Sequence, residues 1–487
     1  MISPRVFPVL LAAISCAAQV SGGQIPVQDG VLGGVAKLPT PSVEATSLAP
    51  DIVTTPGQLR GVVNSGLCET TPNVAQASGY GDIAADKSIF FWYFAARGGA
   101  STAPLTLWFN GGPGASSMLG LLQEIGPCRI NSDGQTVSPN PQTWNERSHL
   151  LFIDQPVGVG FSHSTTNVNT SQAAAHDVWL FMQIFLADSR FSSLATNPLA
   201  IWTESYGGHY GPAFAAHFLS QNAANAGIKL NLKSLGIGNG MTDPASQYAF
   251  YPSYAAFNPY HLLVPEATYE EVNTIFNAPG GCASQIAACN NGGSNAVCSA
   301  ALSNCNTDIL AQCQGPWNPY YVLDPQTPSD NYPPEIGTYI ESIASQIGAE
   351  VGFTQISLTV YDNFAATGDW MRSSLPDLTT VIEAGLRVNL YVGDADYLCN
   401  YFGIEFMITK IPGINGILLS EPFSDYYVDG MLAGLYKNAN NFSYLRMFRA
   451  GHEVPAYGNG SLAVGEAASQ MFTQVTVDGW PGLAPSL

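Results

Sequence analysis

Apolar and polar positions along the chain fall into two alternating kinds of segment. Leu105–Phe109, Leu150–Asp154, Leu199–Thr203, Ser234–Ile237 and Val388–Val392 are short, mostly apolar runs that stop at or beside Gly, Asn, Asp or Glu. Runs of this kind are expected of strands buried on both faces of a sheet. Ser88–Ala95 and Phe442–Phe448 are also rich in β-formers, whereas Ala174–Leu186 and His209–Asn222 carry apolar residues at helical spacing. Alternating strands and helices predict an α/β fold with a central mixed or mostly parallel sheet. No internal repeat interrupts the pattern.

The N-terminus departs from it. Arg5 precedes the short apolar stretch Val6–Ala17, and small residues follow at Cys16–Ala18. We read residues 1–18 as a secretory signal peptide, too short to span a bilayer of about 20 apolar residues. Residues 19–56, rich in Pro, Thr and Gly, read as a propeptide or an extended arm. The sequons at Asn169, Asn441 and Asn459 are candidate N-glycan acceptors, consistent with a secreted or vacuolar/lysosome-like lumenal destination.

Composition narrows the class of partner. The chain has 487 residues with 16 Lys+Arg against 36 Asp+Glu, a formal net charge of −20. So few cations cannot displace counterions from phosphates, which argues against nucleic acid and against anionic membranes. No second apolar segment suggests a membrane anchor. Of nine cysteines, Cys16 falls in the signal; Cys282, Cys289, Cys298, Cys305 and Cys313 cluster in a Gly/Asn/Ser-rich run, and Cys68, Cys128 and Cys399 lie apart. In a secreted chain this reads as a disulfide-stapled excursion rather than a zinc site.

Candidate chemistry sits at strand ends. Leu199–Thr203 leads into Glu204-Ser205-Tyr206-Gly207-Gly208 and then a helix, the strand–turn–helix context of a nucleophile elbow. Thr203 occupies the usual first glycine position, and a surface serine in a glycine-rich loop is the alternative reading. An α/β-hydrolase would place an acid and then a histidine downstream. His209 and His217 lie on the following helix, and His261 precedes the next strand that ends in an acid. His452, after Phe442–Phe448, keeps the order and suits a general base. Val388–Val392 ends at Gly393-Asp394-Ala395-Asp396, and spacing does not separate Asp394 from Asp396. A second turn, Asn110-Gly111-Gly112-Pro113-Gly114, exposes backbone N–H groups suited to an oxyanion.

Trp108–Ser117, Asp154–Ser162, Glu204–Tyr210, Gly393–Asn400 and Ala450–Pro455 together resemble, in order, the motifs of the serine carboxypeptidases. The likeness is greatest to the secreted or vacuolar fungal acid enzymes of that family. It covers about residues 65 to 475 and implies an α/β-hydrolase fold and release of single C-terminal amino acids from peptides and proteins at acid pH. It implies Ser205 as nucleophile, Asp396 as triad acid and His452 as base, with Gly112 and Tyr206 as oxyanion donors. Asn110, Gly111, Glu124 and Glu204 would hold the substrate carboxylate, and Cys399 and Glu453 would line a side-chain pocket. No metal or cofactor is implied. Two departures stand out. Ala115 replaces a family cysteine, implying rearranged disulfides that use Cys68 and Cys128, and Glu453 replaces a methionine of some relatives. The distance from Ser205 to Asp396 further implies a disulfide-containing cap at residues 243–373, inserted between core segments 57–242 and 374–487.

Overall fold

A computed structural model describes residues 54–98, 101–325, 333–478 and 482–486. Residues 1–18, read above as a signal peptide, lie outside the described residues, as do residues 19–53 of the segment read as a propeptide or arm.

Five central strands carry the fold: β4 (Leu105–Phe109), β5 (His149–Ile153), β6 (Leu199–Glu204), β7 (Leu232–Gly238) and β8 (Arg387–Gly393). β4, β5 and β6 are buried along their whole length. Their alternate side chains supply two cores. Leu107, Phe109, Leu151, Ile153 and Ile201 face one, while Trp108, Leu150, Phe152 and Trp202 face the other. That division is why each run reads as continuously apolar: neither face meets water.

Antiparallel flanks extend the sheet. β1 (Leu59–Val63), β2 (Gln76–Ala84) and β3 (Lys87–Phe94) form one edge, and β9 (Ser424–Val428), β10 (Met431–Ala439) and β11 (Phe442–Met447) the other. The order is β1-β2-β3-β5-β4-β6-β7-β8-β11-β10-β9. Pairings β5–β4, β4–β6, β6–β7, β7–β8 and β8–β11 are parallel, and the flanking ones antiparallel. The sheet is therefore mixed and mostly parallel at its centre.

Two long helices help cover one face. α1 (Ser171–Ala187), capped by the Thr170 hydroxyl accepting from Ala173 N–H, inserts Phe181, Met182 and Phe185 into the first core. α2 (Gly207–Ala224) adds Phe214 and Phe218 to the same core. On the other face, Trp202 needs room that β7 leaves at Gly236: a β-carbon there would lie 2.2 Å from the indole. Between β7 and β8 the described residues form a series of mostly short helices and one small antiparallel strand pair, Trp317–Asn318 with Tyr321–Pro325, and carry two of the three disulfides among the described residues, Cys282–Cys305 and Cys289–Cys298.

The third disulfide joins Cys68 to Cys128; the resemblance implied that both cysteines take part in rearranged disulfides but left their pairing open. Cys313 and Cys399 are unpaired and buried. No helix among the described residues is long and apolar enough to cross a membrane.

Candidate active site

Parallel pairing brings the carboxyl ends of β6, β7, β8 and β11 side by side, and each ends in a candidate residue. Glu204 at the end of β6 is level with Gly238, which is level with Tyr391 near the end of β8. Ser205 follows β6, Asn239 follows β7, Asp394 and Asp396 follow β8, and His452 follows β11. This edge is the usual ligand side of an open α/β sheet.

Ser205 adopts φ +62°, an uncommon conformation for a side chain other than glycine's. Its N–H donates to Gly238 O at 3.0 Å, and Met241 N–H donates to its carbonyl at 2.9 Å. Such a tight turn needs little bulk after the serine. A β-carbon on Gly207 would lie 2.5 Å from that of Thr203, so Gly207 makes room for the threonine that replaces the first elbow glycine. The Thr203 hydroxyl in turn donates to Gly207 O.

Asp396 and His452 meet directly, Nδ1 of the imidazole lying 2.8 Å from Oδ2. The carboxylate also accepts from Leu398 N–H, Cys399 N–H and the Asn239 amide, the last at 2.7 Å. Asn239 is a positioning residue that the sequence did not single out, because an asparagine after a strand reads as an ordinary turn. Asp394 points elsewhere. It accepts from the Tyr260 hydroxyl and from Arg449 N–H at 2.7 Å, clamping the loop that carries His452, and burial pushes its carboxyl up to about 6. The two aspartates that spacing left equivalent thus take opposite sides. Cys399 puts its sulfur within 4.8 Å of the Asp396 and His452 ligand atoms. Burial, with Asp396 and Glu204 nearby, raises that thiol well above its ordinary value, so it stays protonated.

The glycine turn lies against the elbow. A β-carbon on Gly111 would sit 2.3 Å from Tyr206 N and 2.9 Å from Ser205 Cβ. Gly112, at φ +106°, precedes a cis peptide to Pro113. Asp154 secures this turn from behind, accepting from the Ser116 hydroxyl at 2.6 Å and from Ser117 and Phe161 N–H. That contact accounts for two of the sequence motifs acting as one unit.

Beside the elbow lie Glu124 and Glu204, both buried. Asn110 donates from its amide to Glu204 Oε1 at 3.3 Å, and its Oδ1 accepts from Trp108 Nε1 and Gly120 N–H. Burial pushes the Glu124 carboxyl up to about 7. Glu204 rises well above the ordinary range through burial and then through the charges of Glu124 and Glu453. Two such groups do not both ionise cheaply in one dry site, and they hold protons jointly. Beyond the Glu124 carboxyl, Glu204 Oε2 has no hydrogen-bond partner among the described residues. Glu453 is buried next to His452.

These shifts fix a direction for stability. Asp154 (up to about 6) and Glu124 (up to about 7) bind protons more tightly in the folded chain than in the unfolded one. Their contribution is fully present below about pH 4 and is lost as pH rises through 6 and 7. A fully buried group shifted by about two units contributes up to about 3 kcal/mol. We therefore expect Tm at pH 8 to lie about 5 °C or more below its value at pH 4.5. Glu124→Gln should flatten part of that fall; a Tm that rises with pH would contradict it.

Aromatic side chains between β7 and β8 pack beneath and beside the site. Tyr251 and Tyr254 are fully buried and donate to Leu398 O and Asp394 O, supporting the β8 loop from beneath. Tyr320 meets the His452 ring edge-on at 5.1 Å, and its carbonyl accepts from His452 N–H. Among the sequons, Asn169 is exposed and Asn459 half-buried. The Asn441 amide already donates to Ile382 O and Leu386 O.

Known proteins resemble this chain in sequence and in fold. Residues 66–477 match the family described as serine carboxypeptidase. The chain belongs to that family. It is 38% identical over 426 residues to carboxypeptidase S1 of Penicillium janthinellum, covering 85% of this chain and 98% of that one. Carboxypeptidase Y of Komagataella phaffii is 35% identical over 400 residues, covering 78% and 73%. The fold resembles the crystal structure of Kex1(delta)p, a prohormone-processing carboxypeptidase from Saccharomyces cerevisiae. That likeness has a TM-score of 0.67 at 23% identity, covering 79% of this chain and 88% of that one. Membership makes the protein a peptidase of the serine carboxypeptidase type with an α/β-hydrolase fold.

Proposed function

We propose that this serine carboxypeptidase releases single C-terminal residues from peptides and proteins at acid pH, through an acyl-enzyme formed on Ser205. His452 Nε2 takes the Ser205 proton as Oγ attacks the scissile carbonyl, while Nδ1–H donates to Asp396. The oxyanion collects hydrogen bonds from the Gly112 and Tyr206 N–H groups. The tetrahedral intermediate expels the leaving amine, which takes the proton from His452. Water, activated by the same imidazole, then hydrolyses the ester.

The observation that carries the exopeptidase reading is the buried Glu124–Glu204 pair beside the elbow. A protonated Glu204 donates a hydrogen bond to a substrate carboxylate, with Asn110 and Gly111 completing the clamp. An ionised one repels it. A mass-resolved digest of a peptide library at pH 4.5 should give ladders shortened one residue at a time from the C-terminus. Internal cleavage, or ladders from the N-terminus, would overturn the reading.

Glu453, beside His452, favours a basic terminal residue. Glu453→Met should lower kcat/KM for terminal Lys and Arg relative to Leu by about tenfold, the worth of one modest charge-assisted contact. An unchanged ratio would refute this role. Residues 243–373 act as the cap over the site, and Cys399 lines the side-chain pocket. Entry through the secretory pathway, with a cleaved signal at residues 1–18, accords with three disulfides, which persist in oxidising compartments. Asn169 is the best-placed glycan acceptor, and Asn441 the worst, since its amide hydrogens are already used.

A further inference from the structure

Tyr206, whose N–H is the proposed oxyanion donor, also has a side chain that the mechanism leaves unused, and its surroundings are unusual. The ring is fully buried, one residue beyond the nucleophile. Its hydroxyl donates to Asp369 Oδ2 at 2.6 Å. The same oxygen accepts from the Ser171 hydroxyl at 2.7 Å and from Ser171 N–H at 3.1 Å, at the N-terminus of the 17-residue helix α1. Three donors converging on one buried oxygen at a positive helix end describe an ionised carboxylate.

His209 lies on the other side of Tyr206. Its ring stacks on the phenol with centroids 4.6 Å apart and planes 4° from parallel. Nδ1 lies 2.5 Å from Met241 O and Nε2 lies 2.9 Å from Arg372 O. A neutral imidazole has one N–H, and it would aim its other lone pair at a carbonyl oxygen. Only the doubly protonated ring satisfies both acceptors. Burial draws its proton affinity below the ordinary value, while Asp369 and the carbonyls favour the charge, so this state belongs to acid pH. Of its other neighbours, Tyr206 stays a neutral phenol, and the Arg372 guanidinium turns to Asn295 and Gly293.

We propose that His209, as an imidazolium, and Asp369, as a carboxylate, bracket the Tyr206 side chain and act as positioning residues for its oxyanion-donating N–H. The cation attracts the ring face and the anion holds the hydroxyl, so residue 206 is fixed from two sides. Tyr206 cannot swing without breaking one of these contacts. The donor then meets the oxyanion without reorganising, which is where such donors gain their effect. A small displacement of a reacting or stabilising group costs up to about 100-fold in rate. The bracket also ties the elbow to α1 and to the 368–372 segment, so elements distant in sequence share in holding one peptide N–H.

This inference rests on the oxyanion role assigned to Tyr206 above. Tyr206→Phe removes only the hydroxyl, and Asp369→Asn only the charge. Each is expected to lower kcat about tenfold or more while KM changes less than twofold. Each should also weaken binding of a peptide aldehyde, which adds the Ser205 Oγ to its carbonyl and generates the same oxyanion, by the same factor as kcat/KM. A purely structural role would lower Tm and leave the aldehyde affinity intact, and that result overturns the proposal. Should Asp369→Asn fold poorly, Tyr206→Phe and the imidazole state carry the test. Nitrogen-15 spectra of the Ser205→Ala protein at pH 4.5 should show both His209 nitrogens protonated, and a neutral ring would equally overturn it. Loss of activity in Ser205→Ala, with full activity in both bracket variants, refutes the bracket alone; an active Ser205→Ala refutes the reading beneath it.

Discussion

Replacing Ser205 with alanine lowers kcat for a free-acid peptide by at least about 10⁴-fold, with KM changed only a few-fold. The size of the effect follows from the work assigned to one oxygen: without it there is no acyl-enzyme, and the oxyanion donors and binding clamp stabilise only a direct attack by water. The substitution should not unfold the chain. The turn is held by Ser205 N–H to Gly238 O and by Met241 N–H to Ser205 O, and neither bond uses the hydroxyl. His452→Ala should cost a similar factor. Adding it to Ser205→Ala should cost little more, because residues acting as a unit are not additive. Steady-state and single-turnover kinetics on the single and double variants measure this. A Ser205→Ala enzyme within tenfold of the parent would rule out serine catalysis here.

The second large effect concerns pH. For free-acid peptides, kcat/KM should fall about tenfold or more between pH 5 and pH 8, while the corresponding C-terminal amide or ester loses much less. The sign follows from the raised acids. Below their apparent values, Glu124 pushed up to about 7 and Glu204 raised well above its ordinary range, the pair holds a proton that Glu204 donates to the substrate carboxylate. Above them, both partners of that contact are anions. Glu204→Gln supplies a permanent amide donor, so its activity on free acids should persist to higher pH than the parent's. Parallel pH profiles for acid and amide substrates, in parent and variant, would remove the clamp and leave a lipase- or esterase-like hydrolase.

Much of this site was legible in the sequence because buried parallel strands must be apolar along their length, and their ends are where turn residues appear. Leu105–Phe109 and Leu199–Thr203 therefore fall within one residue of the observed strands. The antiparallel edge, Ser424–Val428 and Met431–Ala439, had no such signature, since an edge strand mixes exposed and buried positions. Asp394 and Asp396 were inseparable by spacing because two residues of a tight loop can face opposite ways. Only the partners distinguish them: Asn239 and His452 for one, Tyr260 and Arg449 for the other. Asp369 carries no local mark at all. Its importance comes from meeting Ser171 and Tyr206, which lie 198 and 163 residues away in the chain.

A fluorophosphonate probe, followed by peptide mapping, tests the central claim most directly. The probe phosphonylates an activated serine hydroxyl and loses fluoride. The account predicts a single adduct, on Ser205, whose formation at pH 4.5 is slowed by a free-acid peptide and much less by its C-terminal amide. Labelling of another residue, or equal protection by acid and amide, would contradict it.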